Sequence, residues 1–163
     1  MEVNMPTIDD FKIKPDYFFD LMTKRAVAVV PEEAPSNQEM LGISDEAAEK
    51  YFTIARSFLE QHNWFDARDA FMFLTFLNNY VHDYWVGLGI AEQSRGKFQE
   101  ALMAYIMAEA TDPADPVPLA NAFQCSAALD EYDYAAYCLD KAIQLCGDSP
   151  EHAELKEKLS KYK

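Results

Sequence analysis

The stretch that decides the fold is residues 82–115, HDYWVGLGIAEQSRGKFQEALMAYIMAEATDPAD. Within it Gly89, Phe98, Ala101, Tyr105 and Pro113 stand 34 positions after Ala55, Trp64, Ala67, Phe71 and Asn79, so aromatic and small residues return in register. A weaker third copy follows, because Tyr132, Ala135, Leu139 and Ala142 come 34 positions after Phe98, Ala101, Tyr105 and Ala108. Such a period makes each apolar residue part of a repeated helical unit rather than of an isolated core.

The approximate units are 48–81, 82–115 and 116–149. Each reads as two helices around a tight turn, near His62-Asn63-Trp64, Arg95-Gly96-Lys97 and Asp130-Glu131-Tyr132. Ala55, Gly89, Ala67, Ala101 and Ala135 are small enough to let two helices approach, and Phe71, Tyr105 and Leu139 fill the neighbouring gaps. The second unit, with Trp85, Leu88, Gly89, Gly96, Phe98, Ala101, Tyr105, Ala108 and Pro113, carries nearly the full tetratricopeptide consensus. The expected fold is therefore all-α. Three tetratricopeptide repeats stack into a short right-handed solenoid with a concave and a convex face.

The flanks fall outside the repeat. Residues 1–44 are read as an N-terminal helical arm and connector. Pro15 can sit in a first helical turn, and Tyr17, Phe18, Leu21, Met22 and Val29 supply apolar surface on more than one side, as a docking or dimerising arm does. Pro31 and Pro35, with Glu32, Glu33, Ser36 and Asn37, make an irregular connector before Ser44 caps the first repeat. Residues 45–163 hold the repeats and a C-terminal capping helix at 150–162. Ser149-Pro150 opens that helix, Leu155, Leu159 and Tyr162 form its apolar line, and Glu154/Lys158 and Glu157/Lys161 lie on its wet side.

Composition narrows the function classes. The 163 residues are half apolar, enough for one folded core, and 28 Asp and Glu against 14 Lys and Arg leave a formal charge of -14, spread along the chain. That charge repels a phosphate backbone, so nucleic-acid binding is not expected. No apolar run is long enough to cross a bilayer and the opening MEVNMPTIDD is unlike a secretory leader, so no direct membrane insertion and a cytoplasmic location are expected. Cys125, Cys138 and Cys146 form no C-x-x-C pair and read as reduced structural residues.

Chemistry-bearing patterns are absent. His62, His82 and His152 lie far apart, none at metal-ligand spacing, and read as surface or capping residues. There is no nucleophile elbow, phosphate loop or dinucleotide fingerprint, and Gly87-Leu88-Gly89 belongs to a packed helix. Asp66/Asp69 and Asp112/Asp115 read as solvated surface in an acidic chain. Neither an enzyme, a metal nor a cofactor is expected.

The working surface is expected on the first helix of each unit, which lines the concave face of such solenoids. The register selects Glu49, Phe52, Arg56 and Leu59, then Asp83, Val86, Ile90 and Gln93, then Val117, Ala120, Gln124 and Ala127. A groove lined by Phe52, Leu59, Val86, Ile90, Val117 and Ala120 exposes apolar area until a ligand covers it. Burying roughly 400 Å² of it contributes on the order of 10 kcal/mol before entropy and desolvation are subtracted. Arg56, Gln93 and Gln124 are the polar candidates for holding the backbone of an extended peptide.

Across about residues 15–150 the chain resembles the class II type III secretion chaperones, the tetratricopeptide proteins that serve translocator subunits. The resemblance is carried by Ile54-Ala55, Asn63-Trp64-Phe65-Asp66-Ala67, Trp85-Val86-Gly87-Leu88-Gly89, Gly96-Lys97-Phe98-Gln99-Glu100-Ala101 and Cys125. It implies a bacterial cytoplasmic virulence chaperone. Such a protein covers a short N-terminal segment of a hydrophobic translocator in its concave groove and often dimerises through the N-terminal helical region, here Tyr17, Phe18, Leu21 and Met22. Phe52 and Leu59 match places where the family presents large groove side chains, whereas Arg56 replaces what is often an apolar residue. The rival reading is a general tetratricopeptide adaptor or structural assembly protein. A carboxylate-clamp adaptor needs several basic and amide groups in its groove, where Arg56 is nearly alone.

Overall fold

The computed structural model describes residues 35–163; the arm residues Tyr17, Phe18, Leu21 and Met22 lie outside that span. Every regular element among the described residues is helical: α1 (Asn37–Met40), α2 (Asp45–Glu60), α3 (Trp64–Leu77), α4 (His82–Ser94), α5 (Phe98–Thr111), α6 (Val117–Ala128), α7 (Tyr132–Cys146) and α8 (Ala153–Ser160), with a 3-10 turn at Pro150–His152. The described residues divide into two compact units, the first ending at Tyr80 and the second running from Val81 to Lys163.

In the first unit, α2 and α3 form one antiparallel pair. Ser44 caps α2, its hydroxyl accepting from the Ala47 N–H at 3.2 Å, while Asp45 and Glu46 place negative charge at the positive helix end. The connector differs from the irregular reading. Ser36 and Glu39 form a reciprocal capping box around the one-turn helix α1, and the Asn37 side-chain amide donates to the Phe76 carbonyl at the end of α3. Ala55, Ala67, Ala70, Phe71, Leu74 and Leu77 are fully buried in or around this pair.

The second unit holds α4 to α8. Its core gathers Ala101, Leu102, Tyr105, Leu119, Ala120, Ala122, Cys125, Cys138, Leu139 and Ala142, and Leu159 of α8 enters the same cluster. On the outer side of α8 the ion pairs Lys158–Glu154 and Lys161–Glu157 form as their spacing requires. Ser149, expected as a cap, makes no side-chain capping bond, and the chain passes through the 3-10 turn before α8 begins. Cys125, Cys138 and Cys146 are buried free thiols, and burial pushes Cys125 up to about 11, so it stays protonated.

Among the described residues, the turn inside each repeat's helix pair uses the same backbone device. His62, Gly96 and Asp130, each 34 residues from the next, have φ of 58°, 74° and 61°. In each turn the following residue's N–H closes onto a carbonyl five residues back: Asn63 to Phe58, Lys97 to Glu92 and Glu131 to Ser126, all at 2.9 Å. Only the middle copy uses the residue for which this left-handed conformation is free of steric cost.

Candidate functional site

In the first unit, the surface-facing side of α2 brings Phe52, Arg56 and Leu59 together. Phe52 is half-buried, with its ring edge-on to Phe71 of α3 at 6.1 Å between centroids. Phe71 is fully buried, so it serves as the floor on which Phe52 rests. Arg56 is exposed and lays its guanidinium 5.8 Å from the centre of the Phe52 ring. The residue that departs from the expected apolar pattern thus roofs the aromatic next to it.

In the second unit, α4 and α6 supply the corresponding residues. Val86, Ile90, Gln93 and Val117 are half-buried and Gln124 is exposed, so none of these is consumed by the core. Ala120 is a correction: at 4% exposure it belongs to the core cluster with Tyr105, Leu119 and Leu139 and has no surface to offer a partner. An alanine suits either the wall of a groove or a close helix contact, and here the contact wins.

Gln93 and Gln124 meet across the two helices, the Gln93 Nε2 donating to Gln124 Oε1 at 3.1 Å. Beneath them Tyr105, only 1% exposed, donates its hydroxyl to Gln93 Oε1 at 2.7 Å. Sequence reasoning assigned Tyr105 to gap filling and missed this polar end. The available signal was the hydroxyl itself, since the equivalent positions hold Phe71 and Leu139. Tyr105 reaches this place because Gly89 leaves room: a Cβ there would meet its ring carbons at 2.7 and 2.8 Å. Burial, and then the neighbouring Cys125, push the Tyr105 hydroxyl well above the usual phenol range, so it remains a donor.

Two polar groups read as plain surface have structural partners instead. Asp115 receives the Val117 N–H at 2.9 Å at the start of α6, and its other oxygen lies 2.9 Å from His82 Nε2. The His82 Nδ1 faces the Ala108 carbonyl at 3.0 Å, so this histidine ties the start of α4 to the end of α5. Asp69 pairs with Arg68 at 2.8 Å, both largely covered. Among the described residues no group of three or more His, Cys, Asp or Glu could hold a metal ion, and no helix is long and apolar enough to cross a membrane.

No protein-family model matches the chain. In sequence it is 27% identical over 118 residues to the low calcium response locus protein H of Yersinia pseudotuberculosis, covering 72% of this chain and 70% of that one. In structure it is similar to PcrH of Pseudomonas aeruginosa bound to the chaperone-binding region of PopB, with a TM-score of 0.71 and 27% identity over 74% of this chain and 97% of that one. It is similar also to the type III secretion chaperone SycD of Yersinia enterocolitica in complex with a peptide of the translocator YopD. There the TM-score is 0.71 and the identity 26%, over 73% of this chain and 91% of that one. The chain's structural neighbours are type III secretion translocator chaperones, in agreement with the resemblance carried by the repeat residues.

Proposed function

We propose that this chain is a chaperone of type III secretion translocators. It holds a short extended segment of a hydrophobic translocator against the first-helix faces of its repeats and keeps that protein from premature association before secretion. The observation that carries this reading is its likeness, in both sequence and fold, to chaperones captured with translocator segments bound. The half-buried apolar residues Phe52, Leu59, Val86, Ile90 and Val117 supply the side-chain pockets, and Arg56, Gln93 and Gln124 supply the polar contacts. Ala120 is not among them.

The mechanism is occupancy. Apolar side chains of the cargo lose water against apolar side chains of the chaperone, which lowers the free concentration of an aggregation-prone chain. No bond is made or broken, so the protein is a binding protein rather than an enzyme and requires no cofactor. It acts in the bacterial cytoplasm, before export. The N-terminal arm, through Tyr17, Phe18, Leu21 and Met22, joins two copies as a dimer.

Co-expression tests this directly. A hydrophobic translocator of the same organism's type III secretion system should be soluble and co-elute with the full chain, and insoluble without it. A translocator that never co-elutes, or recovery only of an already folded complex, would favour the adaptor reading instead.

A further inference from the structure

A glutamine side chain carries an acceptor and two donors on one planar amide, and which of them faces a ligand depends on how the amide is turned. In the second unit that choice is made from below. The buried Tyr105 hydroxyl donates to Gln93 Oε1 at 2.7 Å, which occupies the Gln93 carbonyl and leaves its NH2 group to point toward α6. That group donates to Gln124 Oε1 at 3.1 Å, so the Gln124 carbonyl is occupied in turn. Gln124 is exposed, and its own NH2 group makes no hydrogen bond among the described residues. The order is hydroxyl, amide, amide, open donor.

We propose that Tyr105 is a positioning residue of the partner-binding face: through Gln93 it orients Gln124 so that N–H donors, not a carbonyl, meet the backbone carbonyl of an extended peptide. This rests on the chaperone reading, in which the cargo lies against Val86 and Ile90. An apolar extended segment offers no side-chain acceptor, whereas each of its residues carries a backbone carbonyl. The equivalent positions in the other repeats, Leu59 with Phe71 and Ala127 with Leu139, have no group that could build the relay. The device therefore lies where the second repeat meets the third and sets where along the cargo a backbone contact is made.

The relay can be tested with 15N-labelled full-length protein and Tyr105→Phe, which keeps the ring beside Gly89 and removes only the hydroxyl. The side-chain amide signals of Gln93 should show slowed hydrogen exchange in the unaltered chain and lose it in Tyr105→Phe. A synthetic peptide of YopD, as bound by SycD, serves as the probe for affinity, and Tyr105→Phe should bind it about three- to tenfold more weakly, with helical circular dichroism unchanged and the melting temperature lowered by no more than a few degrees. Gln93→Glu provides the second variant. Its carboxylate accepts from both Tyr105 and Gln124, turns the Gln124 carbonyl outward, and should weaken binding at least as much. Gln93 amide signals and affinity that are the same in Tyr105→Phe as in the unaltered chain would overturn the inference alone. Failure of the unaltered chain to bind the peptide would overturn the chaperone reading and the partner-facing half of the inference, while the amide signals would still decide whether the relay exists.

Discussion

The first helices of the first two repeats carry equivalent positions to opposite ends. On α2, Phe52 stands on the buried ring of Phe71 and is roofed by Arg56, so this face is an aromatic surface with one cation over it. On α4 the slot equivalent to Leu59 holds Gln93, beneath it the slot on α5 equivalent to Phe71 holds Tyr105, and with Gln124 of α6 the face becomes a hydrogen-bonded amide pair flanked by Val86 and Ile90. The two faces differ at four equivalent positions, Phe52/Val86, Arg56/Ile90, Leu59/Gln93 and Phe71/Tyr105. The repeat fixes where side chains stand, and the residues placed there make one face aromatic and the other amide-bearing, with the Tyr105 hydroxyl bonded to the amide from beneath.

The strongest way to break that contrast is to exchange the small residues under each face. Gly89→Ala pushes a methyl group into the Tyr105 ring and should cost about 1–3 kcal/mol in denaturant unfolding, the range for forcing an extra methyl into a packed core. Ala55→Gly leaves the aromatic floor in place and should cost about 1–2 kcal/mol, the helix-propensity difference plus the loss of one buried methyl group. Equal costs would mean that the two slots are packed alike.

Next in size are substitutions on the faces themselves. Ile90→Asp should weaken translocator binding about tenfold or more, equivalent to about 1.4 kcal/mol, with helical circular dichroism unchanged, because Ile90 is only half-buried. Phe52→Asp should weaken binding similarly but also lower the melting temperature, since it removes the edge contact on Phe71. Unaltered affinity in both would remove the first-helix faces from the binding surface.

Much of this organisation could be read from the chain. The 34-residue return of Ala55, Gly89, Phe71 and Tyr105 marks paired helices because close helix approach needs a small residue opposite a large one, and that constraint is local to each unit. The equivalent half-buried positions on α2 and α4 follow from the same register. What remained hidden depended on contacts between helices. The burial of Ala120 depends on how tightly α6 meets its neighbours, and alanine is silent on that. The Tyr105–Gln93–Gln124 relay and the His82–Asp115 contact join residues on different helices, which spacing along one helix does not reveal. The helix α1 is different: Ser36-x-x-Glu39 is a local capping signature, but the neighbouring prolines drew the reading toward an irregular connector.

The smallest expected effects lie in the turns and sharpen the comparison between repeats. Gly96→Ala should destabilise by about 1 kcal/mol, because a side chain at φ of 74° is strained. His62→Gly relieves the same strain at φ of 58° and should be neutral or stabilising by under about 1 kcal/mol, since the gain is set against the flexibility of glycine in the unfolded chain. Thermal unfolding of the two variants side by side checks both signs.

The central claim, that the partner is held by the first helices rather than the second, is tested most directly by photo-crosslinking. A benzophenone amino acid is placed at position 90 on α4 or at position 106 on α5, where Ile106 is 39% exposed, and the full chain is co-expressed with its translocator. Crosslinked translocator from position 90 and none from position 106 is the predicted result; crosslinking from position 106 alone would contradict the account.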